Sequence, residues 1–311
     1  MRGVIKFARR NYEIQDLGFS FALVTVVMFA SSILLELIFG NAHGGWKFWL
    51  MQGLYTALIG GSAVLYGVFA KTNVFAAAKL NKPPRAWHTV WGCVAVAFLV
   101  LCMSEVNSLF LDLIERLGQK RPSVSLENNV AGLIICACIL PALSEEIVFR
   151  GTVAQSLHDG NKVAALLISG ALFSVFHANP AQTLHQFVLG ALLTLLVFRS
   201  GSLWTAVIVH FFNNAFVVAL SYTPLDSEGF WNLQTNTPWA LTLTIVGAVG
   251  FVLSVLVYVA TTNSSWNKTE NKTTNESETA VPKNTKICSV LMLVVAVVAC
   301  AILWVAQLLA S

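Results

Sequence analysis

The chain has few charged residues. Only 11% of its 311 residues are Asp, Glu, Lys or Arg, whereas soluble domains carry about 25%. Hydrophobic residues make up 56%, which leaves too little polar sequence to cover them in water. This balance excludes an ordinary soluble, secreted or disordered protein. Together with apolar runs of about 20 residues, it predicts an all-α, polytopic membrane helix bundle.

The sequence also lacks the C-x-x-C motif, the cysteine spacing typical of redox and metal sites. All six cysteines lie in or beside apolar segments: Cys93, Cys102, Cys136, Cys138, Cys288 and Cys300. We interpret them as buried small hydrophobic residues, which indicates neither disulfides nor a thiolate metal site. The formal charge of +4 is distributed in short basic clusters between apolar runs. That pattern is typical of membrane topology and not of nucleic-acid binding.

Apolar runs predict about eight to nine transmembrane helices. The candidate spans lie near residues 17–39, 49–70, 87–104, 129–149, 162–177, 183–198, 203–221, 239–261 and 287–309. If the N-terminus is cytoplasmic, most of the 19 Lys and Arg residues fall on the inner side. Because inner loops collect basic residues, we predict an integral protein of the cell membrane with its N-terminus in the cytoplasm.

The predicted spans divide the chain into five parts. These are N-terminal helices with an amphipathic interfacial segment at 105–127 (together 1–127), a core of helices that carries the polar residues considered below (128–221), an additional transmembrane helix (222–261), a disordered cytoplasmic linker (262–286) and a C-terminal transmembrane helix (287–311). The linker is rich in Asn, Thr, Ser, Glu and Lys. Its four N-x-S/T triplets are interpreted as chance matches, because the segment is predicted to lie inside.

Polar side chains within the spans are functional candidates, because burying them in a membrane is costly. They are Glu145, Glu146, Arg150, His177, His185, His210, Asn213 and Asn214. Glu146 and Arg150 are four residues apart and can pair on one helix face. Glu145 is then left without a local partner and is suited to proton transfer. An ion pair that merely locks two helices together is the alternative.

Spacing predicts that Glu145 and His177 meet. Glu145 lies 15 residues before Gly160, the expected apex of a helical hairpin, and His177 lies 17 residues after it. Both therefore sit about 22 to 26 Å from the turn. This geometry requires the helix to continue past Glu145, although Pro141 is expected to kink it.

His210 and Asn214 share a helix face and can both donate hydrogen bonds. Two such donors suit a developing oxyanion. For His210 alone, interhelical hydrogen bonding is the favoured interpretation. Asn213 faces another side of the helix, and His185 follows an Asn179-Pro180 break. We expect neither of these two to be essential.

Three segments in this order resemble a known family. Glu145-Glu146-x-x-x-Arg150, Phe173-x-x-x-His177 and His210-x-x-x-Asn214 are similar to motifs of the type II CAAX prenyl endopeptidase and bacteriocin-processing family of intramembrane proteases. The resemblance covers about residues 128–220.

The resemblance implies a catalytic site as well as a fold. Glu145 and His177 would activate water for attack on a peptide carbonyl, and His210 and Asn214 would form the oxyanion site. Glu146 and Arg150 would orient Glu145. The implied partners are a membrane-associated peptide or protein substrate and the lipid bilayer, and nothing in the sequence demands a prenyl group.

The sequence is compatible with more than one cofactor and more than one function. No cofactor is favoured, because H-E-x-x-H is absent and the potential ligands come from three helices. Zn²⁺ held by Glu145, His177 and His210 is the alternative. A non-catalytic membrane binding or immunity protein could use the same polar cluster structurally, and a transporter with a buried proton relay is a third hypothesis.

Overall fold

The computed structural model describes residues 10–40, 45–116, 129–222, 238–262 and 282–310, which are almost entirely helical. The helices are α1 Ile14–Phe39, α2 Gly45–Phe69, α3 Val74–Ala77, α4 Ala86–Arg116, α5 Val130–Ser156, α6 Lys162–His177, α7 Thr183–Ser200, α8 Leu203–Ser221, α9 Pro238–Thr261 and α10 Lys283–Ala310. Over these ranges the only β contact is an isolated bridge between Arg10 and Thr72. The all-α prediction is confirmed.

Eight of the described helices are long and apolar enough to cross a membrane: α1, α2, α4, α5, α7, α8, α9 and α10. The remaining candidate, α6, has 16 residues. Its length of about 24 Å is less than a hydrocarbon core of about 30 Å. The predicted polytopic bundle is therefore confirmed, with α6 as a shorter apolar helix beside eight candidate spans.

Two boundaries differ from the sequence-based expectation. Residues 105–116, expected to begin an interfacial segment, instead continue α4 to Arg116, where Leu109 and Leu113 carry the apolar helical spacing onward. The rest of that segment, 117–127, lies outside the described residues. Helix α10 begins at Lys283, earlier than the predicted residue 287. Most of the predicted linker (263–281), with the four triplets at Asn263, Asn267, Asn271 and Asn275, also lies outside them.

The helices surround a core formed around α5. Helix α1 packs against α2 and α10, and α2 packs against α5. On the other side, α4 contacts α7, α8 and α9, and α8 in turn contacts α5. Phe21, Phe149 and Phe173 are fully buried where α1, α5 and α6 meet. This arrangement places α5 between the N-terminal helices and the pair α7–α8.

Helix α5 is irregular on both sides of the two glutamates. Leu133–Ile139 and Phe149–Val153 are π-helical, and the α-helical segment Leu140–Val148 lies between them. Pro141 is the second residue of this segment and has no N–H to donate to the carbonyl four residues earlier, so regular α-helical bonding is interrupted there. Short π-helical turns within α-helices often occur at functional sites.

Helices α6 and α7 approach each other closely at two glycines. A Cβ atom added at Gly190 would lie 2.8 Å from the Cα of Gly170, so neither position has room for a side chain. This contact brings the Gly190 backbone next to α5, where its carbonyl can accept a hydrogen bond.

Candidate active site

Glu145 of α5 and His177 at the end of α6 face each other. The Glu145 Oε2 atom lies 3.6 Å from His177 Nε2. Both side chains are largely buried, with 17% and 16% of their surface exposed. As the sequence spacing predicted, α5 and α6 bring the carboxylate and the imidazole together. A separation of 3.6 Å exceeds a direct hydrogen bond and suits a bridging water.

The orientation of the His177 ring is fixed by its own helix. His177 Nδ1 lies 2.7 Å from the carbonyl oxygen of Phe173, one turn earlier. A carbonyl only accepts, so Nδ1 carries the hydrogen and the neutral ring presents an unprotonated Nε2 to Glu145. The Phe173 ring meets the imidazole edge to face at 4.7 Å. The ring therefore has a defined tautomer and rotation.

His210 of α8 approaches the same carboxylate oxygen from a second direction. Its Nε2 lies 3.9 Å from Glu145 Oε2, and its Nδ1 lies 2.8 Å from Glu146 Oε1. Only 2% of its side chain is exposed. Because the carboxylate of Glu146 accepts the Nδ1 hydrogen, Nε2 is directed towards Glu145. Both histidines thus point the same nitrogen at one oxygen atom.

Glu146 and Arg150 form a completely buried ion pair. Arg150 Nη1 donates to Glu146 Oε1 at 2.8 Å, as the i,i+4 spacing predicted. Arg150 Nη2 donates to the Gly190 carbonyl at 3.1 Å, and the guanidinium carbon lies 4.3 Å from the centre of the Phe173 ring. The resemblance implied that this pair orients Glu145. The contacts observed run to His210 and to α7 instead.

Asn214 lies one turn beyond His210, and its amide is fixed at both ends. Its Nδ2 donates to the carbonyl of Ala137 in α5 at 3.2 Å. Its Oδ1 accepts a hydrogen bond of 3.0 Å from Asn213 Nδ2. One N–H of the amide is therefore used to join α8 to α5, which leaves the second N–H for another acceptor.

Sequence reasoning missed the connection between His185 and this site. His185 is fully buried, and its Nε2 lies 3.0 Å from Asn213 Oδ1. The Asn179-Pro180 break suggested that His185 was separate from His177, and no local pattern reveals a contact between α7 and α8. One end of the connection did have a signal in the sequence. Pro141 has no N–H, so the α-helical donor to the Ala137 carbonyl is missing, which favours a side-chain donor such as Asn214.

Glu145 Oε2 is the atom on which these groups converge. It is shielded from solvent and has no hydrogen-bond donor among the described residues. Buried polar atoms are almost always paired in folded proteins, so such an atom calls for an explanation. In their neutral forms both histidines present acceptors to it. A water molecule at this position would donate one hydrogen to Glu145 Oε2 and the other to one of the two Nε2 atoms.

Zinc is the alternative cofactor that the sequence allowed. Within the described part of the chain, no group of three or more His, Cys, Asp or Glu side chains is arranged to hold a metal ion. Glu145, His177 and His210, the trio considered from the sequence, are included in that statement.

Comparison with known proteins finds a family that the central segment is similar to. Residues 127–216 match the model of the type II CAAX prenyl endopeptidase Rce1-like family. The Bacillus subtilis (strain 168) protein named "Putative membrane peptidase YdiL" is 30% identical over 94 residues, which cover 30% of this chain and 38% of that relative. No solved structure gives a significant match. The matched segment contains every residue of the site described above.

Proposed function

We propose that this protein is an intramembrane endopeptidase, in which Glu145 and His177 activate a water molecule to cleave a membrane-associated peptide or protein. The observation that carries the proposal is the 3.6 Å separation of Glu145 Oε2 from His177 Nε2. The matched family and the name of the Bacillus relative support a peptidase in general. The residue roles and the mechanism are our proposal.

The proposed reaction follows from the two acceptors. A water between them donates one hydrogen to Glu145 and the other to His177 Nε2, which leaves an oxygen lone pair for attack on the peptide carbonyl carbon. Glu145 takes a proton as the C–O bond forms. The tetrahedral intermediate then collapses, the C–N bond breaks, and the proton passes from Glu145 to the leaving nitrogen.

His210 and Asn214 are assigned to the developing oxyanion. Because His210 Nδ1–H is already directed to Glu146, the ring can donate from Nε2 only when it is doubly protonated. In this form the Nδ1 hydrogen stays hydrogen-bonded to the Glu146 carboxylate, which also accepts from Arg150. Asn214 would contribute its second amide N–H. One such donor is typically worth about 10²- to 10³-fold in rate.

The test starts from cells, because the substrate is unknown. Membrane peptides are compared by mass spectrometry between cells that express the wild type and cells that express Glu145→Gln. Peptides that appear only with the wild type are then synthesised and given to purified protein in liposomes. We expect Glu145→Gln and His177→Asn each to lower the cleavage rate by about 10²- to 10⁴-fold.

Matched controls separate catalysis from general damage. Glu36→Gln and His158→Asn make the same chemical changes on α1 and near the α5–α6 turn, away from the site, and should cleave like the wild type. Full activity in Glu145→Gln or His177→Asn would contradict the mechanism.

A non-catalytic binding or immunity protein is the second candidate function. It is favoured by the fully buried contacts of Glu146 with Arg150 and His210, because such a network can simply hold three helices together. This hypothesis predicts that Glu145→Gln keeps the biological function. It also predicts that no peptide differs between the wild-type and variant membranes.

We further propose that hydrolysis is metal-independent, with Glu145 as the base. Purified protein is treated with 1,10-phenanthroline, dialysed, and assayed with a peptide found above. We expect the rate to stay within about twofold of the untreated protein. Loss of activity that Zn²⁺ restores would contradict the proposal and identify a metalloprotease.

A further inference from the structure

A chain of hydrogen bonds connects α7 to α5 behind the candidate site. His185 Nε2 lies 3.0 Å from Asn213 Oδ1. Asn213 Nδ2 donates to Asn214 Oδ1 at 3.0 Å, and Asn214 Nδ2 donates to the Ala137 carbonyl at 3.2 Å. His185 and Asn213 are almost completely buried. We call these three side chains, His185, Asn213 and Asn214, the positioning chain.

The direction of every hydrogen bond in the positioning chain follows from its last acceptor. Pro141 has no N–H, so Ala137 lacks the donor that an α-helix would supply from residue 141. A backbone carbonyl only accepts, and therefore the nitrogen of Asn214 must face it. Its oxygen then faces Asn213, which must donate through its own nitrogen. The remaining oxygen of Asn213 requires a hydrogen on His185 Nε2.

We propose that His185 and Asn213 are positioning residues that hold the Asn214 amide in one of its two rotations. The proposal rests on the function proposed above, in which the second N–H of Asn214 stabilises the oxyanion. The two ends of an amide are almost equal in size, so steric contacts alone do not choose between them. A flipped amide would present its oxygen to the developing negative charge and would oppose the reaction. The Ala137 carbonyl favours one rotation, and the hydrogen bonds from Asn213 and His185 reinforce it.

The test removes the donor of His185 without removing its bulk. His185→Phe keeps a ring in the cavity, whereas His185→Gln keeps an N–H near the position of Nε2. We expect kcat to fall at least tenfold in His185→Phe with KM within about twofold of the wild type, because the lost interaction acts in the transition state. His185→Gln should recover most of this loss. A purely structural role would not give this split and rescue.

A second variant tests the next link. In Asn213→Asp an oxygen replaces the nitrogen that donates to Asn214, so two acceptors would face each other and the Asn214 amide would turn. We expect a loss of kcat at least as large as in His185→Phe. Activity is expressed per amount of monodisperse protein. If Asn213→Asp does not fold, the comparison of His185→Phe with His185→Gln decides alone.

The matched control is His88→Phe, which makes the same change at another buried histidine. His88 of α4 lies 2.9 Å from the hydroxyl of Tyr258 in α9 and has no part in the site. It should keep the kcat of the wild type. An unimpaired His185→Phe, or a His185→Gln as impaired as His185→Phe, would overturn the positioning role while Glu145→Gln remains inactive. A fully active Glu145→Gln would instead remove the proposed function, and the positioning role with it.

Discussion

Glu146 and Glu145 are neighbours in sequence, but their side chains make different contacts. One oxygen of the Glu146 carboxylate accepts from both Arg150 Nη1 and His210 Nδ1, each at 2.8 Å. Glu145 makes no comparable ion pair and faces the two Nε2 atoms instead. Adjacent glutamates on one helix turn therefore have different surroundings: Glu146 compensates a buried cation, whereas Glu145 is the residue that the proposed mechanism uses as a base.

Replacing Glu146 with glutamine should destabilise the fold. The substitution leaves the buried guanidinium of Arg150 without its counter-charge, and breaking a buried ion pair typically costs about 3 to 5 kcal/mol. We expect a clearly lower melting temperature in detergent, measured by circular dichroism. The double variant Glu146→Gln with Arg150→Met removes the uncompensated charge and should recover part of the loss.

Glu145→Gln is the matched comparison for that experiment. It makes the same chemical change one residue earlier, so we expect it to abolish cleavage while the melting temperature stays close to that of the wild type. Equal stability of the two single variants would show that the Glu146 ion pair contributes little.

At the scale of helices, the position of Glu145 depends on how closely α2 approaches α5. A Cβ atom added at Gly60 would lie 2.8 Å from both Cβ and Oγ of Ser144 and 3.0 Å from its Cα. Ser144 immediately precedes Glu145, so the backbone of α2 supports the segment that carries Glu145 from outside the family match. The N-terminal helices therefore contribute to the site although they contain none of its motif residues.

Gly60→Ala should reduce activity through this contact. The added methyl group forces α2 and α5 apart, and overpacking of this kind costs about 1 to 3 kcal/mol. A displacement of about 1 Å at a reacting group can lower a rate by about 10²-fold. We expect kcat to fall by about 10- to 100-fold in a peptide cleavage assay while the protein still folds.

The adjacent Gly61→Ala serves as the control, because a Cβ there meets no atom within 4 Å. It should cleave like the wild type. Replacing Ser144 with glycine in the Gly60→Ala background removes the two nearest atoms, Cβ and Oγ, but keeps the Cα at 3.0 Å, so it should restore part of the activity. Failure of that second substitution to restore any activity would contradict the proposed contact.

At the scale of the whole molecule, the fold was predictable where local pattern determines it. Apolar length located all the candidate spans, and the turn near Gly160 fixed the relative heights of Glu145 and His177. The contact of Glu146 with His210 was not predictable, because it joins different helices. It depends on the rotation of α5, and each π-helical turn adds a residue that rotates the side chains beyond it.

The contacts of the positioning chain and the depth of α6 in the membrane likewise depend on helix packing, which local sequence pattern does not determine. His185 and Asn213 lie 28 residues apart, and only the packing of α7 against α8 brings them together. Helix α6 satisfies the hydropathy criterion, but its 16 residues are too few to span the membrane alone. Hydropathy reports how apolar a segment is and not how deeply its neighbours enclose it.

The orientation of the bundle remains a prediction that labelling can decide. The connection between α3 and α4 contains Lys79, Lys82 and Arg85, and inner loops of membrane proteins collect such basic residues. We therefore expect Asn81→Cys to face the cytoplasm and Trp46→Cys, at the start of α2, to face the opposite side.

Both positions are exposed, and both variants also carry Cys288→Ser to remove the exposed native thiol. A membrane-impermeant maleimide should label Trp46→Cys in intact cells and Asn81→Cys only after permeabilisation. The Cys288→Ser parent gives the background from the remaining cysteines, and the reverse labelling pattern would mean that the N-terminus lies outside.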